Sequence, residues 1–282
     1  MRTLYKSMLA TAAFLLLPSG CHGREVDIVC NKKGIAVFLR GGPHLEPPTN
    51  DLRSNKWRSS GFDVKVLDYD EGLYPGTNQM PHFDDGYSEK YLVSAYEKIV
   101  KFVSSANVES CNSDLYIVGE SFGGYFASRL ITDERVAENI SGGVIYSSFI
   151  SLADLVSYRK DLKNKGTGYE NDVILKMFDG LNEELPFGSG DLKPGVQVVS
   201  SNYTTDRLVG ESVSVSSNVD KFPSSVRDNI VPYMISLEGV DGEAHNPYIF
   251  AEEEFVICKI TSKDGEGYDC PFAEMFEPKL NN

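Results

Sequence analysis

Residues 119–124 read Gly-Glu-Ser-Phe-Gly-Gly, directly after the apolar stretch Leu115-Tyr-Ile-Val118 and directly before the helix-compatible Tyr125-Phe-Ala-Ser-Arg-Leu-Ile131. A short apolar run that ends at glycine suits a strand buried on both faces, and residues 125–131 suit a helix, so the chain must turn sharply between them. Ser121 stands at the tip of that turn. Its neighbours must be nearly free of side chain if strand and helix are to close on each other. Gly119 and Gly123 meet that need, and Gly124 lets the helix start close to the sheet. The pattern alone is weak: with glycine and serine each near ~7% of residues, a chance Gly-x-Ser-x-Gly occurs in roughly one chain of this length in ten. The strand-to-helix context singles it out, and the bland alternative is a tight glycine turn with no chemistry.

The rest of the chain alternates in the same way. Gly34–Leu39 is another continuous apolar run, Leu52–Ser60 suits a helix ended by Gly61, and Phe62–Leu67 alternates into a second strand. A loop rich in Asp, Gly, Pro and His runs from Asp68 to Gly86. Ser88 then caps an amphipathic helix with Tyr91, Leu92, Ala95, Ile99, Phe102 and Val103 on one face. Beyond the serine turn, Gly142–Tyr146, Val196–Val199 and Val231–Leu237 read as strands and Leu152–Lys163 as a helix, with Phe255–Ile260 expected as a late edge hairpin. The polar span Asn164–Pro194 reads as an insertion that caps the site, while Arg24–Cys30 offers at most one short strand. There is no internal repeat, low-complexity tract or interdomain linker. Strands alternating with helices imply a mainly parallel sheet, right-handed crossovers and helices on both faces. With the serine turn added, the expected class is α/β and the expected fold that of the α/β-hydrolases, in a single domain over residues 24–282.

Composition narrows the partners. A net charge of −14 argues against nucleic acid or an anionic membrane surface. At the N-terminus, Arg2 and Lys6 precede an apolar stretch from Met8 to Leu17 and then Pro18-Ser-Gly-Cys21, which is too short to span a bilayer and suits a signal peptide over residues 1–23. The expectation is therefore an exported protein, periplasmic, secreted or held at the cell envelope. Cys21 after Ser-Gly resembles a bacterial lipoprotein cleavage box, although Pro18 stands where an aliphatic residue is usual. Lipidation at Cys21 and ordinary cleavage near Gly20 or Gly23 both stay open, and membrane contact is expected only through such an anchor.

A serine hydroxyl is a poor nucleophile at neutral pH without a base. The chain has four histidines, His22, His44, His82 and His245. The order in α/β-hydrolases is serine, then Asp or Glu, then histidine, and only His245 follows Ser121. It lies in Gly239-Val-Asp-Gly-Glu-Ala-His245, after the strand Val231–Leu237. Among the intervening carboxylates, Asp206 follows a strand and so falls at the carboxyl end of the sheet. Asp191 and Asp228 precede strands, and Asp241 is four residues from His245. Asp206 is thus the candidate that orients the imidazole and stabilises its cation. The oxyanion hole needs two donors. One is expected from the N–H of Phe122, the other from Arg40-Gly-Gly-Pro-His44, where Arg40, Gly41 and Gly42 end the first strand. Nothing in this arrangement calls for a metal or cofactor.

The pair Arg40-Gly-Gly-Pro-His44 and Gly119-Glu-Ser-Phe-Gly-Gly-Tyr125 resembles the catalytic domain of the prolyl oligopeptidase family of serine peptidases. The Asp206-Arg-Leu-Val209 loop is similar to that family's Asp-x-x-Val segment, and the spacings of 85 and 39 residues between Ser121, Asp206 and His245 are similar too. The resemblance covers about residues 34–250 and implies a peptidase acting through an acyl-enzyme. There are departures. No β-propeller is expected, the first strands of the usual domain are expected to be missing, leaving six or seven, and Glu211–Ser217 is Ser- and Val-rich where the family has a helix. Arg40 stands where the family has a tyrosine or histidine that serves the oxyanion hole. Either its guanidinium and the nearby N–H groups take that role, or it pairs with an acidic residue of the Asp68–Asp85 loop. A carboxylesterase of similar architecture, and an inactive surface or binding protein that keeps the fold, are the other readings. Tyr69, Tyr74, Phe83, Tyr87 and Tyr169 are candidates for the wall of an apolar pocket.

Four cysteines remain once Cys21 is set aside, an even number that suits an oxidising compartment. In this fold the strands near residues 35–39 and 115–118 are neighbours, which would bring Cys30 and Cys111 to the same end of the sheet. Cys258 and Cys270 flank the turn-rich Lys263–Gly267, and the expected disulfides are Cys30–Cys111 and Cys258–Cys270. The alternative is four free thiols.

Overall fold

Ile35–Leu39 (β1) is buried along its whole length, which only a strand covered on both faces can be. In the computed structural model, which describes residues 33–41, 52–67, 69, 89–109, 114–168, 172, 175, 178, 184–235, 250–262, 270–273 and 276, β1 lies inside a six-stranded sheet. Asp63–Leu67 (β2) and Leu115–Glu120 (β3) flank it in parallel. Ile140–Tyr146 (β4), Val198–Tyr203 (β5) and Ile230–Ile235 (β6) continue outward from β3, also parallel. The strand order is thus β2-β1-β3-β4-β5-β6. The outer strands of this sheet carry the residues that suit edges: Asp63 and Lys65 on β2, and Pro232 on β6, where a missing N–H matters least.

The alternation of β1 separates two cores. Ile35, Val37 and Leu39 pack with Glu89–Glu109 (α2), Phe122–Leu130 (α3) and Leu152–Asn164 (α4), whose apolar residues include Ile99, Phe126 and Leu155. Ala36 and Phe38 point the other way, towards Trp57 of Leu52–Ser59 (α1) and Phe255 and Ile257 of Phe250–Thr261 (α6). Trp57 anchors this second face, edge-on to Phe38 and tilted against Phe62. Ser224–Arg227 (α5) is a single turn before β6. The parallel sheet with helices on both faces is that of an α/β-hydrolase fold.

One segment differs from what the sequence suggests. Residues 255–260 are not an edge hairpin but the interior of α6. Their β-branched composition suits a strand, but Phe255, Val256, Ile257 and Ile260 lie at spacings that a helix turns onto one buried face. Cys258, within that helix, is joined to Cys270 by a disulfide spanning 5.7 Å between Cα atoms. Residues 211–217 hold only a 3-10 turn at Glu211–Val213 and an isolated bridge from Ser214 to Phe149. Residues 1–23, Cys21, Cys30 and Cys111 lie outside the described residues.

Part of the 164–194 span is described, and it rests directly on α3. Arg129, buried, donates from Nε to the carbonyl of Leu185 at 2.8 Å and from Nη2 to that of Ile150 at 2.9 Å, with Phe187 4.0 Å from its guanidinium. Tyr125 Oη accepts the N–H of Leu185, and Thr132 accepts those of Gly188 and Gly190. Leu175, Phe178, Leu185 and Leu192 are buried there.

Candidate active site

The strand order reverses between β1 and β3: the chain runs outward from β1 to β2, then returns past β1 to β3 and proceeds the other way. Open parallel sheets bind ligands at such a switch point, in the crevice at the carboxyl ends of the strands. Arg40 and Gly41 leave β1 there, and Ser121 leaves β3 there.

Ser121 has φ 49° and ψ −117°, a conformation that a side-chain-bearing residue rarely adopts. Three contacts impose it. The Ser121 N–H donates to the carbonyl of Tyr146 at 2.9 Å, while its carbonyl accepts the N–H of Tyr125 at 3.2 Å and the hydroxyl of Ser148 at 2.7 Å. Its position is the N-cap of α3, yet its side chain makes no capping hydrogen bond. The glycines around it are demanded by contact. A Cβ on Gly119 would lie 2.7 Å from Ala127 Cβ and from the carbonyl oxygen of Gly123, and one on Gly124 would lie 2.5 Å from Ser148 Cβ.

Gly41 lies against the serine, where a Cβ would come within 2.6 Å of Ser121 Cβ and 3.3 Å of its Oγ. The backbone of the β1 loop therefore reaches the position from which a second oxyanion donor would act. The first would be the N–H of Phe122, the opening residue of α3, where the N–H groups of a helix's first turn and the helix dipole favour negative charge. Tyr69 Oη donates to the carbonyl of Arg40 at 2.5 Å and holds this loop. Tyr69 is itself buried, edge-on to Phe122 and Phe126, so it belongs to the core rather than to an open pocket wall. Among the described residues Arg40 makes no ion pair, and its Nε is buried without a hydrogen-bond partner. Gly42, the acidic residues of the 68–85 loop, and Tyr74, Phe83, Tyr87 and Tyr169 lie outside the described residues.

Asp206 is three residues beyond β5, at the same end of the sheet as Ser121 and two strands away, about 10 Å by ordinary strand spacing. Only 3% of it is exposed. Its Oδ1 accepts the N–H groups of Leu208 at 2.9 Å and Val209 at 3.0 Å, and its own N–H donates to Tyr203. The next carbonyl, of Arg207, accepts Arg159 Nη1 at 2.6 Å. Arg159 is buried on α4 and ion-paired to Asp172, so α4, residue 172 and the Asp206 loop form one unit. His245, in the stretch between β6 and α6, lies outside the described residues, as does Asp241. Among the described residues no group of three or more His, Cys, Asp or Glu is placed to hold a metal ion.

Sequence reasoning passed over Glu120, the variable residue of the serine motif. Its carboxylate meets Arg53 of α1 at 2.8 Å, in a buried polar set that reaches α6. No periodicity signals this, because charged residues on a buried helix face read as a solvated one.

The sheet order and the serine turn at its switch point define an α/β-hydrolase-fold protein. No family model matches the chain, and no curated protein does. Among solved structures the chain is similar to mouse alpha/beta hydrolase domain-containing protein 10, with 15% identity over 82% of this chain and 89% of that one at a TM-score of 0.45. It is similar also to esterase PE8, with 13% identity over 81% and 93% at 0.48. A third is Est1E from Butyrivibrio proteoclasticus with ferulic acid bound, with 16% identity over 73% and 80% at 0.45. These likenesses are remote, and no function is taken from them.

Proposed function

We propose that the protein is an exported serine hydrolase in which Ser121 attacks an acyl carbon, His245 takes and returns the proton, and Asp206 orients the imidazole. The observation that carries this is the backbone of Ser121: a strained serine at the sheet's switch point, with Gly41 pressed against it. Strain of about 1–3 kcal/mol at one residue is tolerated where the surroundings impose it and a function uses it. The N–H of Phe122 and the Gly41–Gly42 backbone would receive the oxyanion, with Arg40 as the neighbouring cation. The buried, doubly hydrogen-bonded Asp206 supplies the fixed carboxylate that the base requires.

The resemblance of the two glycine motifs and of the Asp206 loop to prolyl oligopeptidase catalytic domains favours a peptidase, with a carboxylesterase as the alternative. Export rests on residues 1–23 and is supported by the Cys258–Cys270 disulfide, a bond that persists in oxidising compartments. Pre-steady-state hydrolysis of a p-nitrophenyl ester, beside a matched peptide anilide, tests the chemistry. A burst of one equivalent of product followed by slower turnover is expected for the acyl-enzyme. Asp206→Asn should lower turnover by about 10³–10⁴-fold. Folded protein without a burst on either substrate class would leave the fold serving binding instead.

A further inference from the structure

Beneath α1 and α6, against the sheet face that carries Phe38 and Val118, lies a set of ionisable side chains that the proposed chemistry does not use. Arg53 of α1 donates from Nη1 to Glu120 Oε1 at 2.8 Å and from Nε to Glu253 Oε1 on α6. Its guanidinium carbon lies 3.7 Å from the ring centre of Tyr146, and Nη2 is 3.7 Å from Glu252 Oε2. Glu253 Oε2 accepts from Trp57 Nε1 at 3.0 Å and Tyr146 Oη at 2.9 Å. Glu252 accepts the hydroxyls of Ser201 and Tyr203. Glu252 and Glu253 are both 0% exposed.

Among the described residues, then, three carboxylates meet one guanidinium. Packing alone does not ask for this, since apolar side chains of similar volume serve a core as well as or better than buried charges do. The set is placed where it can act on one residue. Glu120 is bonded directly to Ser121, and the carbonyl of Tyr146 holds the Ser121 N–H. Both Glu120 and Tyr146 are held in turn by Arg53, and Tyr146 also by Glu253.

We propose that Arg53 and Glu253 are positioning residues for the nucleophile: the guanidinium, anchored on Glu253, clamps Glu120 and Tyr146 on either side of Ser121 and fixes the direction in which its hydroxyl points. This rests on the reading of Ser121 as nucleophile. It places the grip on a strained residue in α1 and α6, two helices that contribute nothing else to the crevice among the described residues.

The clamp also carries a proton. Burial pushes the Glu253 carboxyl up to about 7, against the pull of Arg53 and with the help of Glu252, whose own carboxyl burial raises as well. The groups facing Glu253 are Arg53 and Trp57 from α1, Tyr146 from β4, Tyr203 from β5 and Glu252 beside it, with Glu120 from β3 on the other side of Arg53. Both tyrosines are kept neutral by burial. Charge-assisted hydrogen bonds are roughly twice as strong as neutral ones, so protonating Glu253 loosens its hold on Arg53.

The test is the rate of fluorophosphonate labelling of wild type, Glu253→Gln, Arg53→Gln and Ser121→Ala across pH, with a thermal melt of each. Glu253→Gln mimics the protonated clamp, so it should label about 10-fold more slowly than wild type at about pH 8.5 and converge with it at about pH 5.5. Arg53→Gln should be slower than wild type by about 100-fold at about pH 8.5 and by only about 10-fold at about pH 5.5, where protonated Glu253 has already loosened the wild-type clamp, with the concentration dependence of labelling unchanged. A Glu253→Gln rate equal to wild type, or one lower by a constant factor at all pH values in step with its melt, would overturn the clamp while leaving the hydrolase reading intact. If Arg53→Gln does not fold, the pH dependence of the Glu253→Gln ratio decides alone. A folded wild type that, like Ser121→Ala, takes no label would remove both readings.

Discussion

A Cβ at position 123 would stand 2.1 Å from the carbonyl oxygen of Leu39 and 2.5 Å from that of Arg40, both in the backbone that ends β1. Neither can yield without moving the loop that faces Ser121, so the glycine sets how closely α3 approaches the sheet. Gly123→Ala should therefore lower stability by about 3 kcal/mol or more and displace the serine turn. Gly166 provides the contrast: its φ is +70°, but nothing lies within 4 Å of an added Cβ. Gly166→Ala meets only the left-handed backbone penalty, about 1 kcal/mol. Urea denaturation of the two variants measures the difference, and equal midpoint shifts would show that the close approach at Gly123 is not real.

At the scale of elements, the Asp206 loop is held through its neighbour. Arg159 bridges the carbonyl of Arg207 to the buried carboxylate of Asp172. Arg159→Met should leave Asp172 buried without its cation and lower stability by roughly 3–5 kcal/mol, whereas the double variant Arg159→Met/Asp172→Leu should recover much of that loss. Chemical denaturation of both variants checks this, and a double variant no more stable than the single one would contradict it. The elements differ in how far they could be read from the chain. β1, β3 and α3 were legible because their residues are apolar throughout or fixed by contact at glycine. α1 was legible as a helix but not in its orientation: Leu52 is 61% exposed while Arg53 is 2% exposed, the reverse of what hydropathy suggests. Residues 255–260 of α6 read as a hairpin for the same reason. Its buried stripe begins with Glu252 and Glu253 before Val256, Ile257 and Ile260, and two glutamates at its head hide a helical period. Ser121 and Asp206 stood out through motif and chain order, but the Arg53–Glu120–Glu253 set, joined across some two hundred residues, left no local trace.

For the molecule as a whole, the buried glutamates set a direction for stability against pH. A carboxyl raised to about 7 in the fold binds its proton there while the unfolded chain, titrating near 4.5, has already released it. Stability from Glu253 is thus fully present below pH 4.5 and is lost as pH rises through 7. The net charge of −14 works in the same sense, through growing self-repulsion. The urea midpoint should fall between these two pH values and beyond, and Glu253→Gln should flatten that slope; an unchanged slope would mean that Glu253 titrates normally. The central claim concerns Ser121, and the most direct measurement is fluorophosphonate labelling of the purified protein with the modified residue located by peptide mapping. One equivalent of label on Ser121, absent from a folded Ser121→Ala variant, is the predicted result. A wild-type protein that melts cooperatively and takes no label would contradict the account.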